Sequence, residues 1–275
     1  MYVARIGLTP VKGMAHEFLP ELHLPASGLP GDRAFCFYDV AADRVLRTVD
    51  HDALLACHAR WVPPRLTITT PVGVAAGDAD ELGDRLVADY WGRPTELTVV
   101  RGPWSALVSR YLGKDVLLCR VGPPGGVVWG GPVSVVTTSS LAEVARRTGR
   151  DPGGEDGRGD GEDGRRFRAT FVVDTGEAPA FVEDEWTGRS LRLGDAVVRV
   201  RGPLERCALV DRRPEAGGRD AMVLRALAAD RRIDGQIVFG VHADVVRPGT
   251  VRLGAEVAVE ATDAADAVDA AADQR

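Results

Sequence analysis

One cysteine lies in a sequence context that favours a reactive thiolate. Cys207 directly follows Arg206 in a segment that a Gly-Pro pair shapes as a turn after a predicted strand. A neighbouring cation stabilises a thiolate, and the thiolate is the form that binds a soft metal or takes part in sulfur transfer. The alternative is a small buried hydrophobic residue, as most free cysteines are. We adopt that alternative for the three cysteines inside apolar runs, which are Cys36, Cys57 and Cys119.

Basic residues and hydroxyl groups at turns form a second candidate set. Lys12 and Arg33 lie in short segments that contain Gly and Pro, and Arg166 and Arg168 follow a Gly-rich stretch. A run of four hydroxyl residues, 137–140, stands at a predicted strand-to-helix junction. Cations, hydroxyls and free N–H groups at a helix start are the elements of a phosphate site. Spacing alone does not show whether these residues converge.

Short strands dominate the chain that must position these residues. Runs rich in β-branched and aromatic residues, bounded by Gly, Pro or Asp, predict strands. In the first half they cover 34–40, 65–70, 97–100 and 115–119, and in the second half 171–174, 190–193, 196–200 and 249–253. The pairs Gly194-Asp195 and Gly254-Ala255 precede further apolar runs and predict hairpins.

Helical signals are fewer. The run 139–147 has hydroxyls for capping, an early Glu143 and late arginines, which suit the helix dipole. The stretches 221–228 and 81–90 are the other helix candidates. We therefore predict a mainly β (α+β) fold, with an antiparallel β core and a few helices. The polar run 148–165 predicts a mobile loop, because it has almost nothing apolar to bury.

Composition excludes several classes of protein. Apolar residues make up 45% of the 275 residues and charged residues 27%, which is enough for a large core. The formal charge is −6, and most of it lies in the acidic C-terminal end, so no global field favours nucleic acid or an anionic membrane. No apolar run has the length of a spanning helix, and the cysteines show no zinc-like spacing. We expect a cytoplasmic protein with free thiols that binds neither membranes nor nucleic acid.

Several motifs together resemble the molybdenum cofactor sulfurase C-terminal (MOSC) domain, preceded by its β-barrel partner domain. The relatives in question are the amidoxime-reducing components and bacterial hydroxylaminopurine reductases. The matching segments, in chain order, are Thr9-Pro10-Val11-Lys12-Gly13, Gly28-Leu29-Pro30-Gly31-Asp32-Arg33, Ser139-Ser140-Leu141-Ala142-Glu143, Arg166-Phe167-Arg168-Ala169-Thr170, Phe181-Val182-Glu183-Asp184-Glu185-Trp186, Arg206-Cys207, Phe239-Gly240-Val241 and Arg247-Pro248-Gly249. The resemblance implies a two-domain β-barrel architecture, with an N-terminal barrel-like domain over 1–120, a MOSC domain over 121–262 and an acidic tail over 263–275.

The resemblance also implies a function. It makes Cys207 the ligand of molybdenum in a pterin cofactor and the catalytic residue of an oxidoreductase that reduces small N-hydroxylated substrates. The cofactor contacts that it implies are Lys12, Arg33, Thr138, Ser139, Ser140, Arg168, Thr170 and Arg206. The chain has no iron–sulfur motif. We therefore expect electrons from a separate donor protein, of the reductase, ferredoxin or cytochrome b5 type.

Three departures from the family motifs keep other functions open. Gly13 replaces a serine, and Ala169 and Thr170 replace Pro-Asn, so the ligand-facing motifs lose donors. One alternative is a MOSC-fold enzyme that works without molybdenum, in sulfur transfer or secondary-metabolite biosynthesis. Another is a non-catalytic protein that binds the cofactor. We assign no catalytic role to the acidic run 183–185, because acidic runs near strand ends are mostly solvated.

Overall fold

The structure is a computed structural model that describes residues 1–29, 31–122, 124–150 and 161–260. Strands dominate it, as the fold class predicted. Those of the first half are β1 (Tyr2–Leu8), β2 (Glu17–Phe18), β3 (Glu21–Leu24), β4 (Phe35–Asp39), β5 (Arg44–Val45), β6 (His58–Val62), β7 (Arg65–Thr70), β8 (Gly73–Asp78), β9 (Leu82–Tyr90), β10 (Arg93–Val100) and β11 (Val116–Val121). Those of the second half are β12 (Val133–Thr137), β13 (Phe171–Asp174), β14 (Ser190–Leu193), β15 (Ala196–Glu205), β16 (Arg232–Ile233), β17 (Gln236–Arg247), β18 (Gly249–Arg252) and β19 (Val257–Val259).

Helices are short. They are α1 (Trp104–Leu112), α2 (Thr138–Arg147), α3 (Gly161–Phe167) and α4 (Val223–Leu227). The predictions over 139–147 and 221–228 are confirmed by α2 and α4. Among the described residues, no helix combines the length and apolar composition of a membrane-spanning segment.

The strands form two main bodies. In the first, β10, β11, β4, β5 and β9 close into a barrel, beside a sheet of β6, β7 and β8. In the second, a large sheet runs in the order β19-β14-β15-β17-β12-β13-β1-β2, with β16 on β17. The first strand thus pairs with β13 of the second half, and β3 pairs with β18. The division of the chain at residue 120 stays a prediction.

Alternation of apolar and polar residues explains why these segments are strands. In β7, Leu66 and Ile68 are fully buried while Arg65 and Thr69 are exposed. A period of two places every second side chain on one face, and that face covers the core of the barrel body. The prediction of a hairpin at Gly194-Asp195 is confirmed, since Leu193 pairs with Ala196.

Three predictions need correction. The stretch 81–90 is not a helix, because β9 pairs with β10 over most of its length and buries Ala88 and Tyr90 on alternate positions. Gly254-Ala255 does not close a hairpin, because β18 pairs with β3 and β19 pairs with β14. In the predicted loop 148–165, α3 includes the last five residues. Residues 151–160 of that loop and the predicted acidic tail 263–275 lie outside the described residues.

Candidate active site

A cleft between the barrel body and the large sheet collects most of the candidate residues. Lys12, Arg33 and Tyr90 line it from the barrel side, and Arg168, Arg206 and Cys207 line it from the sheet side. Val11 forms a bridge with Phe35 of β4, and the Lys12 N–H donates to the Phe35 carbonyl at 2.8 Å, which fixes Lys12 against the barrel. Residues more than 150 positions apart in the chain thus meet in one place.

Cys207 lies just beyond the end of β15, which pairs antiparallel with β17 in the large sheet. Strand β15 ends at Glu205, and the extended backbone of Cys207 leads into a single 3-10 turn, Ala208–Asp211. Cys207 is exposed, whereas Cys36, Cys57 and Cys119 are buried, as predicted for those three. Burial raises the pKa of Cys57 and of Cys119 to about 12, so these thiols stay protonated. A thiol open to solvent within a cationic cleft is available to a ligand.

Part of the positive charge and donor capacity of the cleft has no partner among the described residues. Within the described residues, no hydrogen bond or ion pair reaches the Lys12 ammonium, which lies 4.9 Å from the centre of the Tyr90 ring. Burial, together with Arg33 and Arg168, lowers the pKa of Lys12 to about 8. Nε of Arg168 and Nη2 of Arg206 are buried without a hydrogen-bond acceptor. These cations therefore present donors and charge that an anionic ligand would satisfy.

Main-chain oxygens hold the two buried arginines in place. Arg206 donates from Nε to the carbonyl of Phe239 at 2.8 Å and from Nη1 to that of Phe167 at 2.9 Å. Arg168 donates from Nη2 to the Met14 carbonyl. Burial lowers the pKa of both guanidinium groups, but a guanidinium keeps its charge in proteins. Each arginine therefore keeps a fixed charge with one donor atom left over.

Arg166 differs from Arg168 in having an acidic partner inside the protein. It also lines the cleft, but its guanidinium makes two hydrogen bonds of 2.7 Å to the carboxylate of Asp220. The Arg166 side chain holds the pKa of Asp220 low, at about 2, against the effect of burial. The charge of Arg166 is thus compensated inside the protein, and that of Arg168, two residues later, is not.

The hydroxyls of Thr138, Ser139 and Ser140 do not line this cleft. They lie at the start of α2, where Ser140 Oγ and Thr137 Oγ1 donate to Glu183 Oε2 at 2.7 and 2.8 Å. Ser139 Oγ lies 3.1 Å from Thr175 Oγ1. The interpretation of Glu183 as solvated is wrong, because the residue is completely buried and burial raises its pKa. We call Thr137, Ser139, Ser140 and Glu183 the helix-start cluster.

Comparison with protein families identifies the second half of the chain. Residues 123–258 match the family described as the MOSC domain. The chain contains a MOSC domain. No curated protein matches the chain.

Two solved structures are similar to the chain in part. The YuaD protein from Bacillus subtilis is 13% identical, with a TM-score of 0.42, and the match covers 93% of this chain and 92% of that one. YiiM from Geobacillus stearothermophilus is 15% identical, with a TM-score of 0.31, and the match covers 48% of this chain and 55% of that one.

Thr170 belongs to the MOSC domain and lies behind the wall of the cleft. Thr170 is buried, and its Oγ1 accepts from the N–H of Ser134 at 3.1 Å while its own N–H donates to Ser134 Oγ at 3.0 Å. Ser134 lines the cleft. Thr170 therefore holds a residue of the wall, and its hydroxyl is already used within the protein.

The backbone conformation and the local packing explain why position 13, which precedes the MOSC domain, is a glycine. Its φ of +92° is a left-handed conformation, and a Cβ there would lie 2.6 Å from Oγ1 of Thr48. A serine at this position would strain the backbone and collide with Thr48. This departure from the family motif thus follows from the local packing next to Lys12.

Two polar aromatic residues that line the cleft, Tyr90 and Trp129, were not assigned to the site from the sequence. Tyr90 ends β9, and burial raises its pKa. Trp129 is 50% exposed, and its Nε1 donates to Glu205 Oε2 at 3.1 Å at the mouth of the cleft. The Gly- and Pro-rich run around Trp129 indicates a loop that could line a site. Tyr90, in contrast, belongs to the stretch 81–90, which the sequence predicts as a helix. Among the described residues, no group of three or more His, Cys, Asp or Glu side chains is arranged to hold a metal ion.

Proposed function

We propose that this protein binds a molybdenum pterin cofactor in the cleft and is an oxidoreductase that reduces N-hydroxylated substrates. Two findings support the proposal, namely the MOSC domain and the place of Cys207. The observation that carries it is the exposed thiol of Cys207 in a cleft where, among the described residues, the Lys12 ammonium has no hydrogen bond or ion pair and two buried arginine nitrogens have no acceptor. Thiolate is a side-chain ligand that soft metal centres prefer.

The residues of the cleft fit such a cofactor by their donors. A pterin with a phosphate and a dithiolene is anionic, and Nε of Arg168 and Nη2 of Arg206 are buried donors without acceptors. Lys12 and Arg33 add positive charge from the barrel side. We assign these four residues to cofactor binding and Cys207 to the metal. Thr138, Ser139 and Ser140 are not part of this assignment, because they lie outside the cleft.

The proposed reaction converts R–NHOH, two electrons and two protons into R–NH₂ and water. The bound cofactor would supply the removal of the oxygen atom, since such chemistry belongs to the cofactor and not to side chains. The chain itself binds the cofactor, fixes its orientation from two bodies and surrounds it with positive charge. We propose a separate donor protein as the source of the two electrons.

A second candidate is a MOSC-fold enzyme that acts on an anionic substrate without molybdenum. The place of the helix-start cluster favours it, because two of the hydroxyls that the family resemblance assigned to the cofactor, those of Ser140 and Ser139, bind Glu183 and Thr175 instead. In this case Cys207 would be a nucleophile or a sulfur carrier.

Expression in a host that makes the cofactor separates these candidates. We expect the purified chain to contain close to stoichiometric molybdenum and pterin, and to reduce an N-hydroxylated amidine with dithionite as electron donor. The matched control is the same chain from a host that cannot make the cofactor, which should be inactive. Activity in the control protein would favour the second candidate, and cofactor binding without turnover under any donor would leave a non-catalytic binding protein.

A further inference from the structure

The side chains behind the cleft form a chain of hydrogen bonds that ends on Arg168. We propose that Thr9 and His16 form a positioning unit that holds Arg168 and Arg33 in the arrangement that binds an anionic ligand. The inference rests on the proposed function only in that the cleft binds an anion; it does not require molybdenum. All four residues are buried or nearly so, and Thr9 is completely buried.

The direction of each hydrogen bond follows from donor and acceptor chemistry. His16 Nε2 lies 3.0 Å from the carbonyl of Ala169, which can only accept, so Nε2 carries the proton. In a neutral ring Nδ1 is then an acceptor, and the Thr9 hydroxyl donates to it at 3.1 Å. The lone pairs of Thr9 Oγ1 remain free to accept from Arg168 Nη2 at 3.0 Å. Each proton in this series of hydrogen bonds is thus assigned to one donor atom.

The surroundings of His16 keep the ring neutral. Burial and the charges of Arg168, Arg33 and Arg165 hold the pKa of His16 well below its usual value. A second proton would place a cation next to Arg168 and would remove the acceptor that fixes the Thr9 hydroxyl. The hydrogen-bond chain therefore persists at neutral pH.

The main chain of Thr9 connects the same unit to Arg33. The Thr9 N–H donates to Asp32 Oδ1 at 2.8 Å, and the Thr9 carbonyl accepts from the Arg33 N–H at 2.6 Å. The other oxygen of Asp32 pairs with the Arg33 guanidinium. Arg33 and Arg168 both have left-handed φ values, 47° and 51°, which cost about 1 kcal/mol each and persist only when neighbours hold them. Thr9 contacts both, Arg168 through its hydroxyl and Arg33 through its carbonyl.

The His16 ring packs directly against the backbone of Gly7. A Cβ on Gly7 would lie 2.2 Å from His16 Nε2, so the imidazole occupies the space that any other residue at position 7 would fill.

A double-mutant cycle with inorganic phosphate as the probe tests the proposal. The full chain, made in a host without the cofactor, is titrated with phosphate by calorimetry as wild type, His16→Leu, Arg168→Gln and the double variant. We expect His16→Leu to bind about tenfold more weakly, which is the size of one hydrogen bond to a charged group. The double variant should bind no more weakly than Arg168→Gln alone, because the His16 ring reaches Arg168 through the Thr9 hydroxyl, whereas Arg33 is held by the Thr9 main chain.

Two further variants separate positioning from a general effect on folding. His16→Gln keeps a donor and an acceptor and should bind phosphate within about twofold of wild type. His23→Leu, on β3, should not change the affinity. Unchanged binding by His16→Leu, full additivity in the cycle, or equal losses in the Leu and Gln variants would each overturn the proposal.

Nitrogen-15 NMR of the wild-type ring provides a test that needs no folded variant. We expect His16 to show a proton on Nε2 and none on Nδ1 at pH 6. A proton on Nδ1, or an imidazolium at that pH, would contradict the assigned chain of hydrogen bonds. A wild-type chain that does not bind phosphate would also overturn the inference, while the molybdenum content measured above would still decide the proposed function separately.

Discussion

The cleft and the helix-start cluster both contain polar side chains that the family resemblance assigned to the cofactor, yet they differ in where these polar groups find partners. In the helix-start cluster, Ser140 and Thr137 both donate to one oxygen of Glu183, and Ser139 contacts Thr175. In the cleft, Lys12 and two arginine nitrogens have no acceptor within the described residues. Hydroxyls that are satisfied inside the protein stabilise the fold, whereas buried donors left over mark a place for a ligand.

The largest effect that we predict is a loss of stability in the helix-start cluster. Glu183→Ala should lower the free energy of unfolding by about 3 kcal/mol, because it leaves two buried hydroxyls without their acceptor and opens a cavity. Urea denaturation measures this, with the exposed neighbour Glu185→Ala as the control. A loss below about 1 kcal/mol would mean that the cluster is not structural.

A second prediction concerns the position next to Lys12. Gly13→Ser, which restores the family residue, should lower the free energy of unfolding by about 2 kcal/mol, from strain at φ +92° and the contact with Thr48. Gly92→Ser is the matched control, because Gly92 has φ +80° and nothing within 4 Å of the added Cβ. Equal losses in the two variants would show that Thr48 does not restrict position 13.

The third prediction uses the charge of Lys12. Its pKa is about 8 in the folded chain and 10.5 as the reference value, so between these pH values the unfolded chain binds more protons. Stability that depends on Lys12 therefore rises with pH across this window and is lost as the pH falls through 8. We expect wild type to gain about 1 kcal/mol relative to Lys12→Met between pH 8 and 10, after allowance for solvent screening.

Urea denaturation of both chains across that range measures the difference. Lys114→Met is the control, since Lys114 pairs with Asp39 at 2.8 Å and is the other lysine of the sequence. A wild type that loses stability relative to Lys12→Met as the pH rises would contradict the uncompensated charge in the cleft.

Local patterns predicted eight of the nineteen strands that the described residues form, and each predicted run overlaps a strand. Long-range pairing explains the clearest failure. The runs 65–70, 171–174 and 190–193 are strands with those bounds. The stretch 81–90 has helix-forming Leu and Ala, but its pairing with β10 inside the barrel overrides that propensity. Helix α1 was missed, although Gly113 ends it in the left-handed conformation expected of a helix C-terminus.

The candidate site could likewise be predicted from the sequence only in part. Motif resemblance brought Lys12, Arg33, Arg168, Arg206 and Cys207 together, and the structure places all five in one cleft. It could not show that Ser140 is bound by Glu183, 43 residues later, or that His16 lies beside Ala169, 153 residues away. Such contacts depend on the fold of the whole chain and leave no local pattern.

The molybdenum content of Cys207→Ser tests the central claim most directly. Protein made in a cofactor-competent host is analysed for metal and pterin, with Ser139→Ala from the helix-start cluster as the matched control. We expect Cys207→Ser to hold at least about tenfold less molybdenum than wild type, and Ser139→Ala to hold as much as wild type. Full molybdenum occupancy in Cys207→Ser would contradict the assignment of this thiol as the metal ligand.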